Sequence, residues 1–250
     1  MVKHFFSVCL VFLSSIPLQA QTPTAFWGLQ TAGGQGRMGL IFRTDPSGNN
    51  YTVTHNFQTA SPGNVPRGGI LKDAGGIFYG TQASGGLFNY GLIYSYDPAT
   101  ALYTDVLDFK GFSPGGTLIK TASGKYYGIS NLFDPTVYLY EADLATKTAT
   151  IKYTFSLGDG PGNMIAGPGG KLYGISNSGG VAGFGYVFSY DPATNTYAVE
   201  KEFDSSITYP QGTLLLASNG FMYGATAGGG ANNLGGLFRF DPVGKSISLL

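Results

Sequence analysis

The sequence predicts an all-β, propeller-like fold of about five four-stranded blades, and three observations lead to that prediction. Glycine supplies 40 of the 250 residues, and each glycine inside a helix costs about 1 kcal/mol relative to alanine. An aromatic residue followed by glycine recurs at intervals of 46 to 52 residues. Units of that length are typical of propeller blades, which bury their faces only by stacking on one another.

The first 20 residues predict an export signal rather than a part of the fold. A short basic start leads into a mostly apolar stretch over residues 5–16, and residues 18–20 form an acceptable cleavage site. The apolar stretch is shorter than the ~20 residues that span a bilayer. We therefore expect a secreted, periplasmic or cell-surface protein with no membrane span after cleavage. Cleavage would also remove Cys9, the single cysteine, so the mature chain would have no disulfide.

Four short residue patterns recur with nearly constant spacing and divide the chain into five units. The aromatic–glycine pairs begin at Trp27, Tyr79, Tyr127, Tyr173 and Tyr223. An aspartate, followed by proline in all units but the third, lies at Asp45, Asp97, Asp143, Asp191 and Asp241. Phenylalanines follow at Phe57, Phe109, Phe155 and Phe203, and prolines mark the next units at Pro66, Pro114, Pro161 and Pro210. We predict a single repeat domain over residues 21–250, with units at about 26–65, 66–113, 114–160, 161–209 and 210–250.

Each unit is predicted to contain four strands, which we label a to d in chain order. In the last unit, strand a covers residues 211–217, strand b covers residues 221–227 and strand c covers residues 237–240. Strand d is clearest in the preceding unit, where residues 197–203 place every odd-numbered side chain on one face. This period of two, with one mixed polar face, predicts a half-exposed outer strand.

The two end units are expected to be incomplete. Residues 26–28 already form strand b of the first unit, which therefore lacks strand a. The last unit is truncated at Leu250, three residues before the position expected for its phenylalanine. We expect either a small ring of five blades or a fragment of a larger propeller. An open linear array of the same units is the structural alternative.

Two sequence stretches carry a resemblance to a known family. Residues 79–86 (YGTQASGG) and 91–98 (GLIYSYDP) resemble the GloVer tandem repeat of secreted bacterial proteins, and residues 173–180 (YGISNSGG) repeat the first motif. The layout is also similar to that of kelch propellers, where a Gly-Gly pair ends strand b. The third unit departs from the pattern, since it lacks both Gly-Gly and Asp-Pro. The resemblance implies a secreted repeat protein and implies no chemistry.

Composition excludes several kinds of functional site. Net charge is zero, whereas nucleic-acid binding needs a basic surface. Once residues 1–20 are removed, His55 is the only histidine, and no cysteine accompanies it. The usual zinc sites are thereby excluded, and no phosphate loop or dinucleotide fingerprint is present. We expect no cofactor and no metal, and we expect His55 to be structural, because other units have Leu107, Tyr153 and Lys201 at its position.

The carboxylates support a catalytic role only weakly. The recurring aspartates precede proline and are predicted to form turns. Asp73, Asp134 and Asp159 fall outside the repeat pattern but belong to different units. Glycoside hydrolysis needs two carboxylates about 5–10 Å apart. A carbohydrate-active hydrolase or lyase therefore remains an alternative function, as does a purely structural repeat module.

The loops predict where a ligand would bind. In an antiparallel four-stranded blade the b–c and d–a loops emerge on one side, and we call this side the loop face. Its candidate ligand-binding residues are Phe88, Asn89, Tyr90, Phe112, Phe133, Asp134, Phe184, Tyr209, Asn232 and Asn233. Aromatic rings offer flat contact area and asparagine offers paired donors and acceptors, which suits a glycan or a surface protein. We expect a monomeric, non-enzymatic binding module; the alternative for the aromatic residues is that they pack over their own loops.

Overall fold

A computed structural model describes residues 24–58, 63–130 and 136–250. Within these ranges nineteen strands form five antiparallel sheets, and the helical elements are two short 3-10 turns at Gln35–Arg37 and Pro168–Gly170. The predicted export signal at residues 1–20, together with Phe133 and Asp134 of the candidate site, lies outside the described residues. The all-β prediction is confirmed.

The strands follow the predicted order a, b, c, d, and within the described residues the first sheet has strands b, c and d without strand a, as expected. The first sheet contains β1 Phe26–Gln30, β2 Leu40–Thr44 and β3 Thr52–Asn56. The second contains β4 Gly63–Lys72, β5 Phe78–Gly85, β6 Leu92–Asp97 and β7 Leu102–Asp108. The third contains β8 Pro114–Lys120, β9 Tyr126–Ser130, β10 Tyr138–Asp143 and β11 Thr148–Thr154. The fourth contains β12 Pro161–Ala166, β13 Leu172–Ser176, β14 Tyr186–Asp191 and β15 Thr196–Glu202, and the fifth contains β16 Ile207–Leu216, β17 Met222–Gly229, β18 Gly236–Asp241 and β19 Ser246–Leu249.

Adjacent sheets pack face to face, and a separate hydrophobic cluster fills each of the four junctions. We call the face that a sheet presents to the following sheet its forward face, and the opposite face its back face. At the junction of the fourth and fifth sheets, Ile175 and Val187 on a forward face share a cluster with Met222 and Phe238 on a back face. Burying each such side chain stabilises the fold by about 1.5–3 kcal/mol. The stack, rather than any single sheet, therefore holds the structure together.

The a strands β4, β8, β12 and β16 lie side by side along the centre of the stack. The backbone N–H of Gly69 donates to Thr117 Oγ1 at 2.7 Å, and the N–H of Thr117 donates to Asn163 Oδ1 at 2.9 Å. A Cβ atom on Gly68 would lie 2.1 Å from the carbonyl carbon of Gly116, which is far inside van der Waals contact. Glycine at the axis thus permits the close backbone approach that the repeat predicts.

A β-bulge in strand d makes one prediction wrong. Between β14 and β15 the register shifts, so that Phe188 pairs with Val199 and Val187 pairs with Lys201. Glu200 is the extra residue, and it is buried instead of sharing an exposed face with its even-numbered neighbours. Its carboxylate accepts a hydrogen bond from Ser189 Oγ at 2.6 Å. The same shift occurs in the d strands of the first three sheets. A bulge re-aims the side chains that follow it, so simple alternation fails along each of these strands.

The five described sheets form an open, propeller-like arc rather than a closed ring. The forward face of the fifth sheet and the back face of the first sheet have no sheet packed on them, and apolar side chains on both are exposed. Among the described residues, no helix is long and apolar enough to cross a membrane.

Candidate functional site: the loop face and the axial opening

Four b–c loops share one seven-residue conformation. They cover residues 33–39, 85–91, 179–185 and 229–235. The first, second and seventh residues of each loop are glycines with φ between +70° and +101°, and the fifth residue also has a positive φ. The N–H of the seventh residue donates to the carbonyl of the first at 2.9–3.1 Å in every case. Glycine dominates here because L-residues pay a steric cost in this backbone region.

Two predicted site residues, Asn89 and Asn233, hold the backbone of their own loops. Each occupies the fifth loop position, with φ of 58° and 54° respectively. Asn89 Oδ1 accepts a hydrogen bond from the N–H of Gly85 at 3.2 Å, and Asn233 Oδ1 accepts one from the N–H of Gly229 at 2.9 Å. Asparagine tolerates left-handed backbone and bonds locally. The side-chain oxygens of both residues are thus engaged within the loop.

Acidic side chains at the end of strand d fix the loops from outside. Asp108 Oδ1 accepts a hydrogen bond from the N–H of Leu87 at 2.7 Å, and Glu202 Oε2 accepts one from the N–H of Val181 at 3.0 Å. Both bonds reach the third loop position. These carboxylates therefore anchor the loop backbone and leave the third, fourth and sixth side chains to project from it.

One group of projecting side chains comes from the second sheet. Leu87, Phe88 and Tyr90 are exposed, and the ammonium group of Lys110 lies 5.4 Å from the centre of the Phe88 ring. This distance is within the range of a cation–π contact. The equivalent projecting residues of the fifth sheet include Asn232, which is also exposed.

Phe112 does not contribute to the exposed surface that the sequence predicted. It is buried, and its ring packs against Phe109, Tyr138 and Tyr140 with centroid distances of 5.2 to 5.6 Å. The d–a loop that carries it is short and folds back onto the junction between the second and third sheets. Phe112 therefore follows the alternative considered above, packing over its own loop.

Phe184 and Tyr209 form a second aromatic group, which bridges the fourth and fifth sheets. Their rings meet edge to face at 6.1 Å, and the N–H of Tyr209 donates to the carbonyl of Phe184 at 3.2 Å. Tyr209 is exposed and has a φ of 54° immediately before Pro210. A bulky residue in this conformation costs of order 1–3 kcal/mol, and such strain is concentrated at functional sites.

Beside this aromatic pair lies a cavity of about 230 Å³ at the axis of the stack. Its lining includes Asn163, Asn177, Pro210 and Gln211. A second cavity of about 210 Å³ shares the segment from Pro161 to Asn163 with it. None of the described residues that line the two cavities is charged. We call these two cavities together the axial opening. It offers amide groups to a ligand and no fixed charge.

Some of the amide oxygens at the axial opening already accept hydrogen bonds within the protein. Asn163 Oδ1 accepts from the N–H of Thr117, and Asn177 Oδ1 accepts from Ser178 Oγ at 3.1 Å. Both asparagines therefore keep their side-chain N–H donors for a ligand. Asn163, Asn177 and Gln211 were not predicted as site residues from the sequence. Their signal was weak: Asn163 stands in strand a near positions that are glycine or threonine in neighbouring units.

Of the carboxylates weighed for catalysis, Asp73 and Asp159 serve a turn and a loop, and Asp134 lies outside the described residues. Asp73 Oδ1 accepts from the N–H of Ile77 at 2.9 Å in an a–b turn, on the side opposite the loop face. Asp159 Oδ2 accepts from the N–H of Ser156 at 3.0 Å. The Asp-Pro aspartates bond their own turns, as in Asp97, where the N–H of Ala99 donates to Oδ1 and lowers the pKa of the carboxyl group. The described residues contain no group of three histidine, cysteine or acidic side chains suited to a metal.

His55 is part of the packing between the first two sheets. Its ring stacks on Tyr103 with a centroid distance of 4.7 Å, and burial lowers its pKa. Burial thus disfavours the charged imidazolium, and the ring contact gives His55 a role in packing.

The repeat motif identifies the family once this geometry is known. The model of the Gloeobacter/Verrucomicrobia repeat matches residues 13–161 and 134–250. The chain belongs to the Gloeobacter/Verrucomicrobia repeat family. The two matches together span all five sheets of the chain, and they confirm the family that residues 79–98 predicted. No curated protein matches the chain in sequence.

Several solved structures resemble this Gloeobacter/Verrucomicrobia repeat protein in fold. TolB from Acinetobacter baumannii has 14% sequence identity and a TM-score of 0.55, with 90% of this chain and 52% of TolB covered. The nidogen/laminin complex has 13% identity and a TM-score of 0.61, with 88% and 74% covered. Puromycin hydrolase has 11% identity and a TM-score of 0.59, with 90% and 35% covered. The chain thus spans about half the length of TolB, and at these identities the similarity concerns the propeller-like fold alone.

Proposed function

We propose that the protein is a binding module that takes an uncharged glycan at the axial opening of the loop face. The observation that carries this proposal is the placement of an exposed, backbone-strained Tyr209 next to a cavity lined by amides and without charge. Sugars present hydroxyl groups to amides and C–H faces to aromatic rings, and such sites combine apolar surface with a few placed polar groups.

A glycan fits this opening better than a charged ligand for an electrostatic reason. A phosphate or carboxylate ligand would lose its hydration at a site whose lining supplies no compensating charge, and burying an unpaired ion is costly. Sugar hydroxyls, in contrast, are neutral and exchange water for the amide N–H groups of Asn163 and Asn177. Glycan binding is also consistent with export to the cell exterior, which we propose from residues 1–20.

The experiment is a glycan array followed by titration calorimetry on the purified protein. Replacing Tyr209 or Asn177 with alanine should weaken binding about tenfold or more, since each loses about 1.4 kcal/mol of contact. Tyr51→Ala is the matched control, because Tyr51 is similarly exposed but immediately precedes strand d, outside the loop face. Equal binding by all three variants, or the absence of any glycan ligand for the parent, would overturn the proposal.

A protein partner is the second candidate, and a separate observation favours it. The aliphatic side chains of Leu87, Val181 and Leu234 are exposed at the tips of three different b–c loops. Exposed apolar side chains that project from one face supply the kind of surface that protein-binding sites use. Pull-down with the parent and with a Val181→Ser, Leu234→Ser variant tests it: the partner should be lost from the variant while glycan binding stays unchanged.

A further inference from the structure

One side chain position in strand c reports whether a forward face is covered. Ile41, Ile93, Leu139 and Val187 occupy this position in the first four sheets, and each is 0% exposed. Leu237 occupies the same position in the fifth sheet and is 61% exposed. Leu215 in strand a of the same sheet is also exposed, whereas its equivalent in the third sheet, Ile119, is buried. The fifth sheet therefore presents a complete forward face with nothing packed on it.

The back face of the first sheet shows the reciprocal pattern. Phe78, Tyr126, Leu172 and Met222 share one position in strand b of the later sheets, and all are buried under the preceding sheet. Phe26 occupies that position in the first sheet and is 51% exposed. Two unpaired faces thus remain on the described chain, one of each kind.

The internal junctions show what a forward face of this repeat binds. In all four junctions its occupant is the aromatic-rich back face of another sheet of the same repeat. At the fourth junction, for example, Val187 is buried against the cluster that includes Met222 and Phe238. The partner that matches the exposed face around Leu237 is therefore a back face like that around Phe26.

We propose that the forward face of the fifth sheet binds the back face of the first sheet in a second copy of this chain. The contact is heterologous, because it joins two different patches, and such contacts build rings or open chains of subunits. It repeats the packing seen four times within one copy, with apolar surface on both sides. This inference departs from the monomer expected from the sequence and is independent of the ligand at the loop face.

Measuring solution mass against protein concentration tests the proposal. Sedimentation velocity of the parent should show a mass that rises above the monomer with concentration. Leu237→Asp should return the protein to the monomer, because it would place an unpaired charge in the contact. Val243→Asp is the matched control: Val243 is 87% exposed in the c–d turn of the same sheet, and its variant should associate like the parent. A parent that stays monomeric at every concentration would overturn the proposal.

Mixing two variants tests the direction of the contact. Leu237→Asp keeps an intact back face, and Phe26→Asp keeps an intact forward face. Each should be monomeric alone, while an equimolar mixture should form a one-to-one complex that cannot extend further. Self-association of Phe26→Asp alone would mean that two forward faces pair, and a monomeric mixture would mean that the two faces do not meet; either result contradicts the proposal. Circular dichroism of both variants should match the parent, which excludes unfolding as the cause.

Discussion

Replacing Gly68 with alanine tests whether crowding at the axis, and not backbone conformation alone, requires glycine there. Gly68 has a φ of 66°, and a Cβ at this position would lie 2.1 Å from the carbonyl carbon of Gly116 in the next sheet. Gly212 is the equivalent position in the fifth sheet. It has a φ of 77°, but a Cβ there would have no atom within 4 Å. Comparing the two positions therefore separates the cost of a left-handed backbone from the cost of crowding against the next sheet.

The expected magnitudes follow from those two environments. A left-handed backbone costs a non-glycine residue about 1–2 kcal/mol, and this is the whole cost expected for Gly212→Ala. Gly68→Ala adds the displacement of rigid backbone, and forcing extra atoms into a packed interior costs about 1–3 kcal/mol more. Each 1 kcal/mol lowers the melting temperature of a domain of this size by roughly 2–4 °C. Gly68→Ala should therefore melt roughly 2–12 °C below Gly212→Ala.

Differential scanning calorimetry and urea unfolding of the two variants measure this difference. The two measurements should rank the proteins in the same order: parent, Gly212→Ala, Gly68→Ala. If the two variants lose equal stability, the close approach at the axis contributes nothing, and the argument that sheet-to-sheet contact selects glycine there is refuted.

Three further outcomes are expected. Asn233→Ala should cost about 1–3 kcal/mol in urea unfolding, whereas Asn233→Gly should cost less because it loses the loop hydrogen bond but keeps the permitted backbone. Thr117→Val should cost about 1–3 kcal/mol by leaving the Gly69 N–H without its acceptor, and Thr117→Ser should restore most of that loss. The hydrogen bond from Lys125 lowers the pKa of Asp143 to about 2, so the stability from this pair is full above about pH 4 and disappears as the pH falls towards 2. Acid unfolding of Lys125→Met should lack that component and that of Lys125→Arg should retain it.

The architecture could be predicted from the sequence because its determinants recur. The same residue types stand at the same offsets in each unit, and strands tolerate no slip of register. The incomplete first sheet was predictable for the same reason, since residues 26–28 match strand b of the other units and the structure pairs Phe26–Gln30 with strand c.

The bulge in strand d was not predictable, because no residue type marks it. Thr54, Val106, Lys152 and Glu200 are the extra residues in the four sheets that have it. They share neither size nor charge. Because no residue type recurs at the extra position, the sequence carries no local pattern for the bulge.

The candidate site was predicted only in outline. The loop face and its aromatic tips follow from strand order, whereas the roles of single residues do not. Asn89 and Asn233 stand at the same place in a Gly-Gly-x-x-Asn-x-Gly pattern, and that spacing is the signal that they hold the backbone. The burial of Phe112 depends on how its short loop folds onto the next sheet, which no local pattern records.

In the shared b–c loop conformation, the residues that fix the backbone differ from the residues that are exposed to a ligand. Four of its seven positions determine the path of the chain, and the other three, such as Leu87, Phe88 and Tyr90, take no part in doing so. Substitutions at those three positions can therefore change the exposed surface of any of these four loops without disturbing the loop backbone. Duplication of a unit would copy the glycine positions that fix the loop backbone, while the projecting side chains of each copy could change independently.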